Sequence, residues 1–247
     1  MTADRYIGLI SGTSRDGLDA VLVDFLNDSP RLREATCTPY PDELRADLDR
    51  LIGRGRRPHP GEAAALDRAL GRFFGGACNA LLRTAGVAAD TVHAIGSHGQ
   101  TVWHEPTGPD PVSLQLGDPV VLARDTGITV VSDFRSADVA AGGQGAPLAP
   151  LLHRSLFAGE APCAILNLGG IANLTLLGRD GDVTGFDTGP ANCLMDGWCL
   201  RHRGEAFDRG GAWAATGQIL ADTLDAWLAD AFFAKPPPKS TGLEHFN

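Results

Sequence analysis

The segment Gly8-Leu9-Ile10-Ser11-Gly12-Thr13-Ser14-Arg15-Asp16-Gly17-Leu18-Asp19 places glycine, hydroxyl and carboxylate groups between two apolar runs. The flanking runs, Arg5 to Ile10 and Leu18 to Phe25, are typical of strands, so the segment predicts a turn that joins strand to strand. P-loops and Rossmann loops join a strand to a helix instead. The composition suits a phosphate-binding turn and also an ordinary hairpin turn, and the residues alone leave both interpretations open.

Other signatures of common enzyme classes are absent. A Walker A loop needs a lysine directly after its glycines, whereas the chain has only Lys235 and Lys239. The glycines of Gly142–Gly145 and Leu168–Gly170 do not have the spacing of a dinucleotide fingerprint. The five cysteines include no C-x-x-C pair, and no G-x-S-x-G motif occurs. The sequence therefore gives no support to a zinc or disulfide framework or to a cysteine or serine hydrolase.

Composition restricts the partners. The chain has 247 residues, of which 43% are hydrophobic and 21% charged, which is ordinary for one large or two modest globular domains. The formal net charge of −9 argues against nucleic acid and anionic membranes, because both bind positive surfaces. The N-terminal residues do not resemble a signal peptide, and no apolar run has the length of a membrane span. We expect a cytoplasmic protein.

The remaining periodicity indicates α/β elements. Apolar residues recur at helical spacing between Gly61 and Gly86, and Gly86 suits the end of that helix. A strand from Thr91 to Ser97 leads into a polar segment at 97–101, and one from Ile128 to Ser132 leads into 133–138. Open α/β sheets bind ligands just past the carboxyl ends of their strands, so both polar segments are candidates for a site.

The second half repeats the pattern. Strand signals at Ala164–Leu168 and Asn173–Leu177 flank a glycine turn, and a strand at Val183–Phe186 leads into Asp187–Asn192, with a helix expected from Pro190 through Trp198. The repetition suggests a duplicated fold with a cleft between its halves, at 1–137 and 138–247. Chance similarity of two hairpins is the alternative.

Six motifs in order resemble the anhydro-N-acetylmuramic acid kinase family, and the resemblance covers the whole chain. They are Gly8–Asp19, Gly96–Thr101, Gln115–Asp118, Asp133–Pro147, Asn167–Asn173 and Gly185–Pro190. The family implies a duplicated α/β fold of the actin- and hexokinase-like (ribonuclease H-like) type, with two domains that close over ATP. Family members continue past the segment Pro236–Gly242, so the resemblance also implies that the second domain is incomplete, in a fragment or a truncated product.

The resemblance implies a coupled reaction. Water opens 1,6-anhydro-N-acetylmuramic acid at the anomeric carbon while O6 takes the γ-phosphoryl group of ATP, a step of peptidoglycan recycling. The implied cofactors are ATP and Mg²⁺, and the partners are small molecules, with a homodimer left open. Two other functions are weighed against this kinase: an inactive sugar-binding or interaction module, and a metal-dependent hydrolase. The hydrolase would use His93, His98, His104 and Asp118, which lack the tight helical pairing of a zinc site.

The resemblance also assigns site residues. Asp187 matches the catalytic aspartate and lies against the sugar; without the family, the same residue reads as a helix cap. His98, Gln100 and Arg135 are the other sugar contacts, and Arg135 suits the lactyl carboxylate. The residues implied to bind ATP are Gly12, Thr13, Ser14, Arg15, Asp16, Gly17, Leu18, Asp19, Gly169, Gly170 and Asn173. Asp16 and Asp19 are candidates for magnesium through water, or for stabilising the turn. Arg15 stands where the family usually has methionine.

Overall fold

The computed structural model describes residues 4–12, 15–26, 29–242 and 245–246. The chain forms two compact units, the first ending at Gly145 and the second beginning at Ala146. The predicted domain boundary after residue 137 falls earlier in the chain, inside a short helix, and stays a prediction.

Unit 1 is a six-stranded mixed sheet with helices. Its elements in chain order are β1 (Asp4–Ser11), β2 (Gly17–Leu26), β3 (Ser29–Pro39), α1 (Asp42–Ile52), α2 (Pro60–Ala85), a 3-10 turn (Ala89–Thr91), β4 (Ala94–Glu105), β5 (Val112–Leu116), α3 (Pro119–Thr126), β6 (Val130–Ser132) and α4 (Ser136–Ala140).

The sheet confirms the predicted hairpin at the start of the chain. The strands lie in the order β3-β2-β1-β4-β5, and β6 also pairs with β4. β1 is antiparallel to β2, whereas β4 runs parallel to both β1 and β6. A side chain at Gly17 would collide with the backbone of Thr38 and Pro39, so β3 can approach the start of β2 only beside a glycine.

β4 departs from the sequence-based expectation. The strand does not end at Ser97, because it changes partner on one edge: Ile95 to Ser97 pair with β6, and Gln100 to Glu105 pair with β5. His98 and Gly99 lie at this change. Gly99 has φ +76°, and a Cβ there would lie 2.6 Å from the carbonyl oxygen of Leu116. The polar segment 97–101 was wrongly predicted to follow the strand, because pairing with a later strand keeps it extended.

Helix α2 supplies much of the core of unit 1. It spans Pro60–Ala85 and ends at Gly86, whose φ of +63° is the left-handed cap that the sequence predicted. Leu70, Phe74 and Leu81 are fully buried against the sheet, while Phe73 is only partly buried. The predicted apolar stripe is therefore the packed face of the helix.

Unit 2 has a smaller, three-stranded antiparallel sheet in the order β7-β8-β9. Its elements are α5 (Ala149–Phe157), a 3-10 turn (Ala158–Glu160), β7 (Cys163–Leu168), β8 (Ile171–Leu177), β9 (Val183–Pro190), α6 (Asn192–Arg203), two 3-10 turns (Arg209–Gly211 and Ala214–Thr216), α7 (Ala221–Leu228) and α8 (Ala231–Ala234).

The glycine hairpin of unit 2 is confirmed, but the helix after it starts later than predicted. Ile171 pairs with Pro190 and Ala172 with Gly189, so β9 continues through Asp187 and includes Pro190. Helix α6 begins at Asn192. The expectation that Pro190 opens this helix was wrong, because Pro190 takes part in strand pairing.

Unit 2 leaves many large apolar side chains exposed. Trp198 is 57% exposed and Trp227 is 66% exposed, and Leu166 and Leu168 of β7 are also exposed. Buried apolar residues are few here, among them Leu177 and Phe232. In the described part of the chain, no helix combines the length and apolar character needed to span a membrane.

Candidate functional site

Three parallel strands of unit 1 bring polar segments to one edge of the sheet. Ser11 at the end of β1 pairs with Gln100 of β4, and Ser97 of β4 pairs with Ser132 at the end of β6. Arg135 follows β6 by three residues. This is the position at which open α/β sheets place ligands, so the three polar segments form the candidate site of unit 1.

Gln100 is directed at the first turn. It is 1% exposed, and its Nε2 donates to the carbonyl oxygens of Gly12 and Thr101, each at 3.2 Å. Its Oε1 lies 2.7 Å from the hydroxyl of Ser11, and that hydroxyl is also 2.7 Å from the carbonyl oxygen of Gly17. Ser11 has one proton, so it donates to one of these two acceptors at a time.

The described part of the turn is held by further backbone contacts. Arg15 N–H donates to Gly12 O at 3.3 Å, and Tyr40 N–H donates to Asp16 O at 3.0 Å. Arg15 has φ +55°, an uncommon conformation for a residue with a side chain. Its guanidinium lies 3.4 Å from Asp49 of α1, and its Nε is buried without a hydrogen-bond partner.

The other residues of the predicted ATP set differ in exposure. Thr13 and Ser14 lie outside the described residues. Leu18 is fully buried in the core, so a contact with ATP would involve its backbone alone. Asp16 and Asp19 are exposed, and Asp19 lies opposite Cys37 in the β2–β3 pairing. A hydrogen bond to Asp19, with burial, raises the pKa of the Cys37 thiol.

His98 and Arg135, the predicted sugar contacts, lie against each other. The Nε and Nη2 of Arg135 donate to His98 Nε2 at 3.0 and 2.7 Å, and its Nη1 donates to the carbonyl oxygen of Gly145. His98 Nδ1 lies 2.9 Å from Gly99 O, which can only accept, and its Nε2 faces the Arg135 donors; this pattern fits a neutral ring with its proton on Nδ1. Burial lowers the pKa of His98; the Gly99 hydrogen bond opposes that shift and the Arg135 charge adds to it.

The second glycine turn holds the start of a helix. The Gly169 carbonyl accepts from Asn192 N–H at 2.9 Å, and the Gly170 carbonyl accepts from Ala191 and Cys193 N–H at 3.0 and 3.1 Å. The carbonyls of the turn therefore accept from the otherwise unpaired amides at the start of α6. Asn173, opposite Asp187 in the β8–β9 pairing, has a buried Oδ1 without a hydrogen-bond partner.

Asp187 lies within β9 and contacts a later segment of unit 2. Its N–H donates to Lys239 O at 3.0 Å, and its Oδ2 accepts from Thr241 N–H at 2.9 Å. Ala191 is the residue before α6 and forms no side-chain cap, so the helix-cap interpretation of Asp187 was wrong. Sequence reasoning missed the contact with 239–241; the polar cluster Lys239-Ser240-Thr241-Gly242 after three prolines was the available signal.

The alternative histidine set is not assembled into a metal site. His104 Nδ1 lies 2.9 Å from the Ser113 hydroxyl, and Asp118 accepts from the first amides of α3. Across residues 4–12, 15–26, 29–242 and 245–246, no three His, Cys, Asp or Glu side chains are grouped to hold a metal ion. A metal-dependent hydrolase therefore receives no support from the described residues.

The mixed α/β architecture, with a glycine hairpin in each unit, agrees with the α/β class predicted from the sequence. A sequence model of the family described as anhydro-N-acetylmuramic acid kinase matches residues 4–247. The chain belongs to this family.

Two solved structures share a weaker likeness. One is titled a reductive activator for a corrinoid, iron-sulfur protein (TM-score 0.42, 14% identity, 76% of this chain and 31% of that one). The other is a Ppx/GppA family member from Aquifex aeolicus (TM-score 0.39, 8% identity, 79% and 54%).

Curated relatives that carry the name anhydro-N-acetylmuramic acid kinase match along the whole chain. The relative from Sulfurovum sp. (strain NBC37-1) is 46% identical and covers 100% of this chain and 68% of its own length. The relative from Xanthomonas oryzae pv. oryzae (strain MAFF 311018) is 51% identical, with 98% and 65% covered. That from Nitrosospira multiformis is 50% identical, with 100% and 68% covered. The chain therefore spans about two thirds of the length of these relatives.

Proposed function

We propose that the protein is a kinase that opens 1,6-anhydro-N-acetylmuramic acid with water and phosphorylates O6 at the expense of ATP. The match to the family model over residues 4–247 carries the proposal. The product is N-acetylmuramic acid 6-phosphate. We further propose a cytoplasmic location and small-molecule partners only, consistent with the net charge of −9.

In the proposed reaction, Asp187 acts as the general base. It accepts a proton from the water whose oxygen bonds to the anomeric carbon. The bond from that carbon to O6 breaks, O6 bonds to the γ-phosphorus, and ADP leaves. The hydrogen bond from Thr241 N–H to Asp187 Oδ2 supports this role, because it fixes the orientation of the carboxylate.

His98 and Arg135 are proposed to bind the sugar. Arg135 would face the lactyl carboxylate, since a guanidinium binds carboxylates through paired N–H groups. Its contact with His98 Nε2 holds both side chains at the edge where β4 changes partner. The neutral state of His98 favours sugar binding, because an imidazolium would repel the Arg135 guanidinium and move it from the position proposed to face the lactyl carboxylate.

The first glycine turn is proposed to bind the ATP phosphates through Gly12 to Asp19, with Gly169, Gly170 and Asn173 as the corresponding set in unit 2. The exposed carboxylates Asp16 and Asp19 fit magnesium, which commonly takes one or two carboxylates together with substrate phosphates. Bound there, the ion would offset phosphate charge during transfer.

Two measurements test the proposal. Titration of Mg-ATP into the chain is expected to show saturable binding, whereas an inactive sugar-binding module would bind only the sugar. In enriched water, oxygen-18 is expected in the anomeric hydroxyl of the phosphorylated product. Product without the label would exclude water as the nucleophile, and failure to bind ATP would refute the kinase.

A further inference from the structure

The side-chain amide of Gln100 is fully engaged by the protein. Both of its N–H groups donate to backbone carbonyls, those of Gly12 and Thr101, and its oxygen faces the Ser11 hydroxyl. The residue is 1% exposed, and Ser11 is 3% exposed. A glutamine amide has two protons to donate, so none remains for a sugar hydroxyl. The Gln100 amide therefore has no N–H group left for the sugar contact that was expected from the sequence.

The partners of this pair are the two ends of the first glycine turn. Gln100 holds the carbonyl of Gly12, where the chain leaves β1, and the Ser11 hydroxyl reaches the carbonyl of Gly17, where the chain enters β2. Between them, Tyr40 N–H binds the carbonyl of Asp16. The carbonyl oxygens of Gly12 and Asp16 are therefore bound by donors of the protein, and that of Gly17 is bound when the Ser11 proton points to it.

The direction of backbone groups decides whether a turn attracts or repels an anion. Phosphate oxygens are attracted to N–H groups and repelled by carbonyl oxygens, so a phosphate-binding turn needs its carbonyls bound elsewhere. We propose that Gln100 and Ser11 are positioning residues that hold the Gly12 and Gly17 carbonyls away from the ATP phosphates. This inference rests on the proposed function, because it concerns ATP.

The test measures binding of Mg-ATP and of the anhydro sugar separately, by calorimetry on the 247-residue chain. Gln100→Met removes the amide at similar length, and Gln115→Met is its control. Gln115 lies on neighbouring β5 and contacts the hydroxyls of Thr101 and Ser113, not the turn. We expect Gln100→Met to raise the Kd for ATP about tenfold and to change the Kd for the sugar less than twofold. Gln115→Met should change neither.

A second substitution separates positioning from general destabilisation. In Gln100→Glu, the ionised carboxylate cannot donate to Gly12 O, whereas the protonated acid can; burial raises the pKa of such a group. ATP affinity of Gln100→Glu is therefore expected to recover at least threefold between pH 7.5 and 5.5, relative to Gln100→Met. Ser11→Ala should weaken ATP binding and Ser11→Thr should restore it.

The outcomes distinguish this inference from the proposed function. A wild-type chain that does not bind ATP refutes both. Normal wild-type binding, with Gln100→Met lowering the melting temperature but leaving the Kd for ATP within twofold, overturns only the role of Gln100. Equal losses of ATP and sugar affinity overturn it as well. If Gln100→Met does not fold, the pH response of Gln100→Glu relative to wild type and the Ser11 pair decide the question.

Discussion

Replacing Arg135 with alanine tests the sugar site most directly. The substitution removes donors to His98 Nε2 and to the Gly145 carbonyl. Hydrogen bonds that involve a charged group are worth about 1.5–3 kcal/mol each. Water that enters beside His98 would replace part of the lost bonding, so we expect a loss of about 2 kcal/mol in unfolding free energy. For a chain of this size, that corresponds to about 4–8 °C in melting temperature.

The same substitution should cost sugar affinity through the lactyl carboxylate. A charge-assisted contact of about 1.5–3 kcal/mol corresponds to roughly 10–150-fold in Kd. Calorimetry with two sugars isolates this contact, because 1,6-anhydro-N-acetylglucosamine lacks the lactyl group. Wild type should lose affinity on going from the muramic to the glucosamine sugar, whereas Arg135→Ala should bind both about equally.

Arg124 provides the control for the Arg135→Ala variant. Arg124 is 67% exposed in its side chain and pairs with the adjacent Asp125, so Arg124→Ala should leave both affinities unchanged. ATP affinity of Arg135→Ala should stay within threefold of wild type. Equal losses for ATP and sugar, or an unchanged preference between the two sugars, would show that Arg135 is only a structural partner of His98.

Three further outcomes are expected. Asp187→Asn should lower turnover about 100-fold or more with sugar affinity within threefold, whereas Asp180→Asn, in the exposed β8–β9 turn, should not; steady-state kinetics decides. Burial lowers the pKa of His98 below its usual 6.5 in the folded chain. As the pH falls below about 6.5, His98 therefore gains a proton in the unfolded chain before it does in the folded chain, and the free energy of unfolding should decline. The melting temperature of His98→Gln should therefore fall less than that of wild type between about pH 6.5 and 5. The same fall in both proteins would contradict the prediction. In urea unfolding, Gly99→Ala should lower the free energy of unfolding by about 1–3 kcal/mol more than Gly127→Ala does. Both glycines have positive φ, but only at Gly99 would the new methyl group meet a carbonyl oxygen, that of Leu116. Equal losses would mean that this contact has no cost.

The sequence predicted those elements in which the apolar periodicity and the turn or cap residues all favour the same structure. The first hairpin and helix α2 are of this kind, because apolar periodicity and a glycine at the turn or cap agree with the final packing. The motifs also predicted that polar segments after β1 and β6 lie at one edge of the unit 1 sheet, and the pairing of β1, β4 and β6 brings them there. The hairpin turn and the helix cap depend on neighbours within a few residues of the chain.

The errors came from pairing with distant segments. The polar residues after Ser97 and after Phe186 resemble loops, but β5 and β8 pair with them and keep them extended. The contact between Arg135 and His98 joins residues 37 apart, and that between Thr241 and Asp187 joins residues 54 apart. Composition alone gives no sign of these contacts.

The partner change in β4 explains why these residues are close together. The break at His98 and Gly99 ends the pairing with β6, so the chain after β6 can turn back and place Arg135 on His98. Two residues later, Gln100 pairs with Ser11 and binds the Gly12 carbonyl. One irregular strand therefore carries the proposed sugar contact and the proposed support of the ATP turn, separated by a single glycine. Because Gly99 fixes the direction of both neighbours, the Gly99→Ala substitution should weaken ATP and sugar binding together, whereas Arg135→Ala and Gln100→Met should each weaken one.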